Sequence, residues 1–125
     1  METNRNQQET VRDKSKYQKE IERLMVFMSE KKPYLDDDLT LQKLSLQTDI
    51  PKKQLSFLLN RVLGKHFFDY INSYRIEEAI VLLKNERLNI KQVMYGVGFN
   101  SKSSFNTAFK KHTAFTPTAY RSNKL

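Results

Sequence analysis

The chain has 125 residues, no cysteine, two histidines and a formal net charge of +8 at pH 7. This is the size of one domain, large enough for a core but short for an enzyme with elaborate loops. Disulfides and thiolate metal sites are excluded, and His66 and His112 stand too far apart in sequence to suggest a metal centre, so neither metal nor cofactor is expected.

Three glycines, three prolines, 38% hydrophobic and 29% charged residues fit a folded, mainly helical protein, because strand-rich chains need more turn punctuation. No apolar run approaches the roughly 18 residues of a membrane span. The start METNRNQQETVRDK lacks the apolar region of a signal peptide, so a cytoplasmic protein without membrane contact is expected.

Residues 1–15 are polar and aperiodic and read as a disordered lead or the stub of a linker. From Tyr17 onward, Ile21, Leu24, Met25 and Met28 recur at helical spacing, and Lys31-Lys32-Pro33 ends that helix. Asp36, Asp37 and Asp38 form an acidic approach to a short helix capped by Thr40 and carrying Leu41 and Leu44. After the Thr48-Asp49-Ile50 turn, Pro51 opens a helix whose stripe is Leu55, Leu58, Leu59 and Val62, ending at Gly64.

These two elements make a first helix-turn-helix over about residues 40–63. A long helix follows over about 67–85, with Ile71, Ile76, Ala79, Leu82 and Leu83 available for burial. A second helix-turn-helix spans about 90–112, and Pro117 starts a last short helix. The fold class is therefore all-α, about seven helices forming two helix-turn-helix subdomains joined by a long linker helix, within one domain over 16–125.

An internal repeat supports this division. Leu39-Thr40-Leu41-Gln42-Lys43-Leu44 aligns with Leu88-Asn89-Ile90-Lys91-Gln92-Val93 at an offset of 49, and past the turn the offset is 50, pairing Leu55 with Phe105, Leu59 with Phe109, Gly64 with Ala114 and Tyr70 with Tyr120. The second turn thus holds one extra residue. Charge is uneven as well. Residues 1–50 carry 9 Lys/Arg against 10 Asp/Glu, a balance of −1, whereas residues 51–125 carry 13 against 4, a balance of +9. A basic C-terminal part suits an anionic partner such as nucleic acid.

A recognition helix buries one face and offers the other to base edges. Removing the apolar stripe leaves Lys53, Gln54, Ser56, Phe57, Asn60 and Arg61 in the first unit. In the second, Ser101 is the cap and Lys102, Ser103, Ser104, Asn106, Thr107 and Lys110 remain. Phe99, Phe105, Phe109 and Tyr120 are core residues in this arrangement, although aromatics can also stack on bases. Phe57 is divided between a thymine-methyl contact and a core position.

Residues 98–121, GFNSKSSFNTAFKKHTAFTPTAYR, resemble the second helix-turn-helix signature of the AraC/XylS regulators, and LSLQTDIPKKQLSFLLNRVLGKHFFDYINSYRIEEAIVLL resembles that family's first unit and linking helix. The departures are Ser45 and Met94 at usual alanines, Pro51 at a common serine cap and Ala114 at a common glycine. The resemblance implies a homeodomain-like pair of units with two recognition helices in adjacent major-groove segments of double-stranded DNA. It implies base contacts from Lys53, Ser56, Phe57 and Asn60, and from Lys102, Ser103, Ser104 and Thr107. Lys52, Arg61, Arg75, Lys110, Lys111 and Arg121 are assigned to phosphates, with a structural ion pair to Glu78 as the alternative for Arg75.

The KSKYQKE and PYLDDDLTLQKL stretches are similar to those of family members whose DNA-binding domain ends a larger, sometimes membrane-bound sensor. A free-standing regulator is the alternative, and RNA polymerase is a candidate partner. The competing function is a basic helical module that binds an acidic protein or RNA polymerase without base readout. No enzyme is expected: Gly96-Val97-Gly98 has neither a third glycine at 101 nor a preceding strand, and neither histidine has a nucleophile and an orienting acid beside it in sequence.

Overall fold

A computed structural model of the chain describes residues 16–124, so the polar lead 1–15 lies outside the described residues. All regular elements there are helical: α1 (Gln18–Lys31), a 3-10 turn (Pro33–Leu35), α2 (Leu41–Thr48), α3 (Lys52–Phe57) continued by a π-helical turn (Leu58–Val62), α4 (Phe67–Leu83), α5 (Ile90–Gly96), α6 (Lys102–Thr113) and α7 (Pro117–Lys124). No described helix is long and apolar enough to cross a membrane.

The helix boundaries follow from capping chemistry. Lys32 adopts the left-handed conformation at the end of α1 and returns its N–H to Met28 O before Pro33 can continue the chain. Thr40 accepts from the Lys43 N–H at the start of α2, and Ser101 accepts from the Ser104 N–H at the start of α6. Asn89 does the same for α5 with Gln92 completing a reciprocal box, which satisfies two backbone donors at once. Pro51 stands one residue before α3 rather than as its first residue, and its side chain supplies no cap.

The chain divides into two compact units. The first takes in the described residues as far as Pro33 together with Thr40–Phe67. It contributes buried Ile21, Leu24 and Met28 from α1, Leu44 from α2, Ile50 from the turn, and Leu55, Leu58, Leu59 and Val62 from α3 and its π turn. Met25, expected on the buried stripe of α1, is instead 53% exposed, because the core-facing positions 21, 24 and 28 already complete the face.

The second unit comprises Tyr34–Leu39 and everything from Phe68 onward. Its core is Ile76, Ala79 and Leu83 of α4, Val93 and Met94 of α5, Val97 and Phe99 of the following turn, and Phe105 and Phe109 of α6. The helix read from sequence as a spacer is thus, from Phe68 on, a structural member of the second unit. The aromatic rings follow one another edge to face or tilted, Phe99 on Phe105 at 5.2 Å, Phe105 on Phe109 at 5.7 Å and Phe109 on Tyr120 at 5.5 Å between centroids.

Candidate nucleic-acid interface

Both units contain a helix, a tight turn and a second helix, and the backbone conformations repeat as the residues do. Asp49 and Gly98, 49 apart, are both left-handed, with φ of 58° and 99°, and the next residues, Ile50 and Phe99, are both buried. Pro51 and Ser101, 50 apart, precede the second helices. The extra residue of the second copy is therefore Asn100, exposed between the buried Phe99 and the cap. At the far ends of the second helices Gly64 and Ala114 share the left-handed conformation, with φ of 69° and 70°.

In the first unit Lys52, Lys53, Asn60 and Arg61 are exposed, while Ser56 and Phe57 are half-buried. The Asn60 amide donates to Ser56 O at 3.1 Å and to Ser56 Oγ at 3.2 Å, so it folds back along its own helix. The Phe57 ring meets the Tyr17 ring edge-on, with centroids 5.4 Å apart, and Gln54 donates to Glu20. Helix α1 and the residue before it therefore flank one side of α3, and the stripe facing away from the core runs through Lys53, Phe57 and Asn60 at i, i+4 and i+7. The π-helical turn was not foreseen; its widened ladder brings the Leu63 N–H to Leu58 O at 2.9 Å, and the Lys65 N–H reaches Leu59 O at 2.8 Å across Gly64.

In the second unit Lys102, Ser103, Ser104, Thr107, Lys110 and Lys111 are all exposed along α6. The stripe Ser103, Thr107, Lys110 occupies the positions, 50 residues on, of Lys53, Phe57 and Asn60. Ser104 is partly engaged at the cap, its hydroxyl accepting from Ser101 Oγ at 3.1 Å. Lys111 Nζ lies 3.1 Å from Asp69 Oδ1, a pair whose side chains are 72% and 47% exposed and which water therefore screens. At the next residue of α6, His112 Nε2 meets Glu77 Oε1 at 2.6 Å, a contact no sequence pattern announced.

Two further cations assigned to phosphates have partners within the chain. Arg75 is 6% exposed, and its Nε donates to Tyr34 O at 2.6 Å and its Nη2 to Asp36 O at 2.9 Å. It is buried in the second unit, its two shorter bonds go to backbone carbonyls, and Nη1 lies 3.5 Å from Asn72 Oδ1. Burial lowers its pKa, opposed by the charges of Asp36 and Asp37. Arg121 donates from Nε to Leu83 O at 3.1 Å and from Nη2 to Asn85 O at 3.3 Å, closing the C-terminal end of α4.

Burial shapes the surrounding tyrosines. The Tyr34 hydroxyl is pushed up by desolvation first and then by Glu78, and Tyr70 is raised mainly by burial. The Asp36, Asp37 and Asp38 carboxylates cluster at the exposed surface, where Asp36 Oδ1 accepts from the Asp38 N–H at 2.9 Å and turns the chain toward α2. Seven large hydrophobic side chains are prominently exposed among the described residues, and none of them lies on α3 or α6. Phe57 apart, the outward faces of these two helices are polar and basic, unlike the apolar centre of a protein-binding patch.

The sequence profile of a helix-turn-helix domain family matches residues 44–123. The chain is 29% identical over 85 residues to an HTH-type transcriptional regulator of Bacillus subtilis, covering 68% of this chain and 29% of that protein. It is 28% identical over 88 residues to the HTH-type transcriptional regulator AlkR of Acinetobacter baylyi, covering 70% of this chain and again 29% of the relative, so it spans less than a third of either. Among solved structures, the C-terminal domain of a two-component response regulator from Fusobacterium nucleatum superposes with a TM-score of 0.69 at 32% identity, over 82% of this chain and 98% of that one. The C-terminal domain of AraT, a response regulator from Geobacillus stearothermophilus, gives 0.65 at 31% identity, over 73% and 75% of the two chains. With the tandem units, their repeated turn geometry and these matches together, the chain belongs to the AraC-type helix-turn-helix family, whose members are DNA-binding transcription regulators.

Proposed function

We propose that this chain recognises specific double-stranded DNA by placing α3 and α6 in major-groove segments, one helix from each unit. The observation that carries this is the repeated stripe at i, i+4 and i+7, Lys53, Phe57 and Asn60 in one copy and Ser103, Thr107 and Lys110 in the other, which falls at the same register in both and lies outside the buried apolar face of each helix. Lys53, Ser56, Phe57 and Asn60, with Lys102, Ser103, Ser104 and Thr107, contact base edges; Lys52, Arg61, Lys110 and Lys111 anchor phosphates. Asn60 must release its bonds to Ser56 to reach a base, and the half-buried Phe57 contacts a thymine methyl. The domain acts in the cytoplasm, as part of a regulator of transcription, where RNA polymerase is a second candidate partner.

Selection of binding sites from random duplexes with the purified chain tests the proposal. An enriched bipartite motif is the expected result. Recovery of unenriched sequence with affinity controlled by salt alone would indicate non-specific coating and overturn it. With a selected site in hand, inserting about five base pairs between its two elements turns one groove to the far side of the duplex. Affinity should then fall toward that of a single element, whereas unchanged affinity would show that only one helix reads.

A further inference from the structure

Arg75 is the one buried charged side chain among the described residues. A buried guanidinium is costly unless its donors are satisfied, and an apolar side chain of similar volume would often serve stability equally well. What arginine adds is a rigid planar fork. Here the fork holds two carbonyls of one short loop, Tyr34 O and Asp36 O, while the Tyr34 ring stacks on Tyr74 at 5.5 Å, beside Arg75 in the sequence of α4.

The same group also meets the turn of the second helix-turn-helix. The guanidinium carbon lies 5.4 Å from the centre of the Phe99 ring. Gly98 approaches so closely that a Cβ there would lie 2.4 Å from Tyr34 O and 2.9 Å from Arg75 Nε. Gly98 is also left-handed, with φ of 99°, so both its conformation and its lack of a side chain are needed. Phe99 in turn packs on Phe105 of α6, and Ser101, two residues beyond Phe99, caps that helix. An unbroken series of contacts therefore runs from the Tyr34–Asp36 loop through Arg75 and the Gly98-Phe99 turn to the first turn of α6.

We propose that Arg75 is a positioning residue for DNA reading by the second unit: its two-carbonyl clasp and its contact with the Gly98-Phe99 turn set the direction in which α6 presents Lys102, Ser103 and Thr107. This rests on the base-reading role proposed above. A helix displaced by a fraction of an ångström keeps its fold and its charge but misaligns bidentate hydrogen bonds, so selectivity is lost before general affinity.

The test is a competition titration of the full chain on three duplexes: a selected site, the site with the α3 element scrambled, and the site with the α6 element scrambled. For Arg75→Met, discrimination at the α6 element should fall by about tenfold, the equivalent of one bidentate base contact, while discrimination at the α3 element stays as in the parent chain. Arg75→Lys should behave like Arg75→Met, because an ammonium keeps the charge but cannot bridge the two carbonyls. Gly98→Ala disturbs the same contact without touching Arg75 and should show the same element-specific loss. Full rescue by Lys, equal loss at both elements, retained α6 discrimination in any folded variant, or loss of helical circular dichroism in all three variants would overturn the proposal. If the parent chain itself discriminates at neither element, the base-reading proposal has failed instead.

Discussion

Replacing Ala114 with glycine should make the protein more stable although it removes a methyl group. Ala114 ends α6 with φ of 70° and ψ of 3°, a conformation that costs an alanine about 1 to 2 kcal/mol through its Cβ. Glycine avoids that cost and keeps the N–H bond to Lys110 O at 2.8 Å, while the greater freedom of the unfolded chain returns about 0.4 to 1 kcal/mol of the gain. The net is about 0.5 to 1 kcal/mol, which for a chain of this size is a rise of about 2 to 4 °C in Tm. The mirror substitution is Gly64→Ala, at the equivalent end of the first unit. No atom lies within 4 Å of the Cβ it would add, so only the backbone penalty acts and a loss of about 0.5 to 1 kcal/mol is expected. Gly98→Ala differs in kind, because its Cβ meets the Tyr34 carbonyl oxygen at 2.4 Å and the Leu35 carbonyl carbon at 3.2 Å, both backbone atoms that cannot swing aside. Its loss should exceed about 2 kcal/mol. Urea unfolding followed by circular dichroism should order the midpoints A114G, parent, G64A, G98A. A midpoint for A114G at or below the parent, with G64A unchanged, would refute left-handed conformations at the two helix ends.

Other consequences concern the interface directly. Affinity for a selected duplex should fall as salt rises, with a log–log slope of about 0.9 for each phosphate engaged, measured by fluorescence anisotropy; a flat dependence would remove the phosphate anchors. Lys102→Ala should lose about 1 to 3 kcal/mol of discrimination at one or two base pairs, whereas Lys111→Ala should weaken all sequences alike, and a uniform loss for both would place Lys102 on a phosphate. Arg121→Ala should lower stability by about 1 kcal/mol by releasing the Leu83 and Asn85 carbonyls, with affinity for a selected duplex unchanged in fluorescence anisotropy. A loss of affinity shared by all sequences would instead place Arg121 on a phosphate.

Local rules in the sequence determined the helices, their caps and the repeat. Thr40 and Ser101 cap because a short hydroxyl at that position satisfies a backbone donor three residues on. Leu55, Leu59, Phe105 and Phe109 are buried because i, i+4 spacing places them on one helical face. The polar stripes of α3 and α6 were legible as what remained when those faces were removed. The tertiary structure decided matters that depend on partners far along the chain. Arg75 looked like a surface cation three residues from Glu78, yet its two shorter bonds reach carbonyls 41 and 39 residues away, which no helical period encodes. The approach of Tyr17 to Phe57 joins residues 40 positions apart, and that of Tyr34 to Gly98 joins residues 64 apart, through interior geometry rather than local pattern. Capping and periodicity act within a turn or two of backbone and so can be read from neighbours, whereas the clasp on the second unit's turn exists only once the helices have packed.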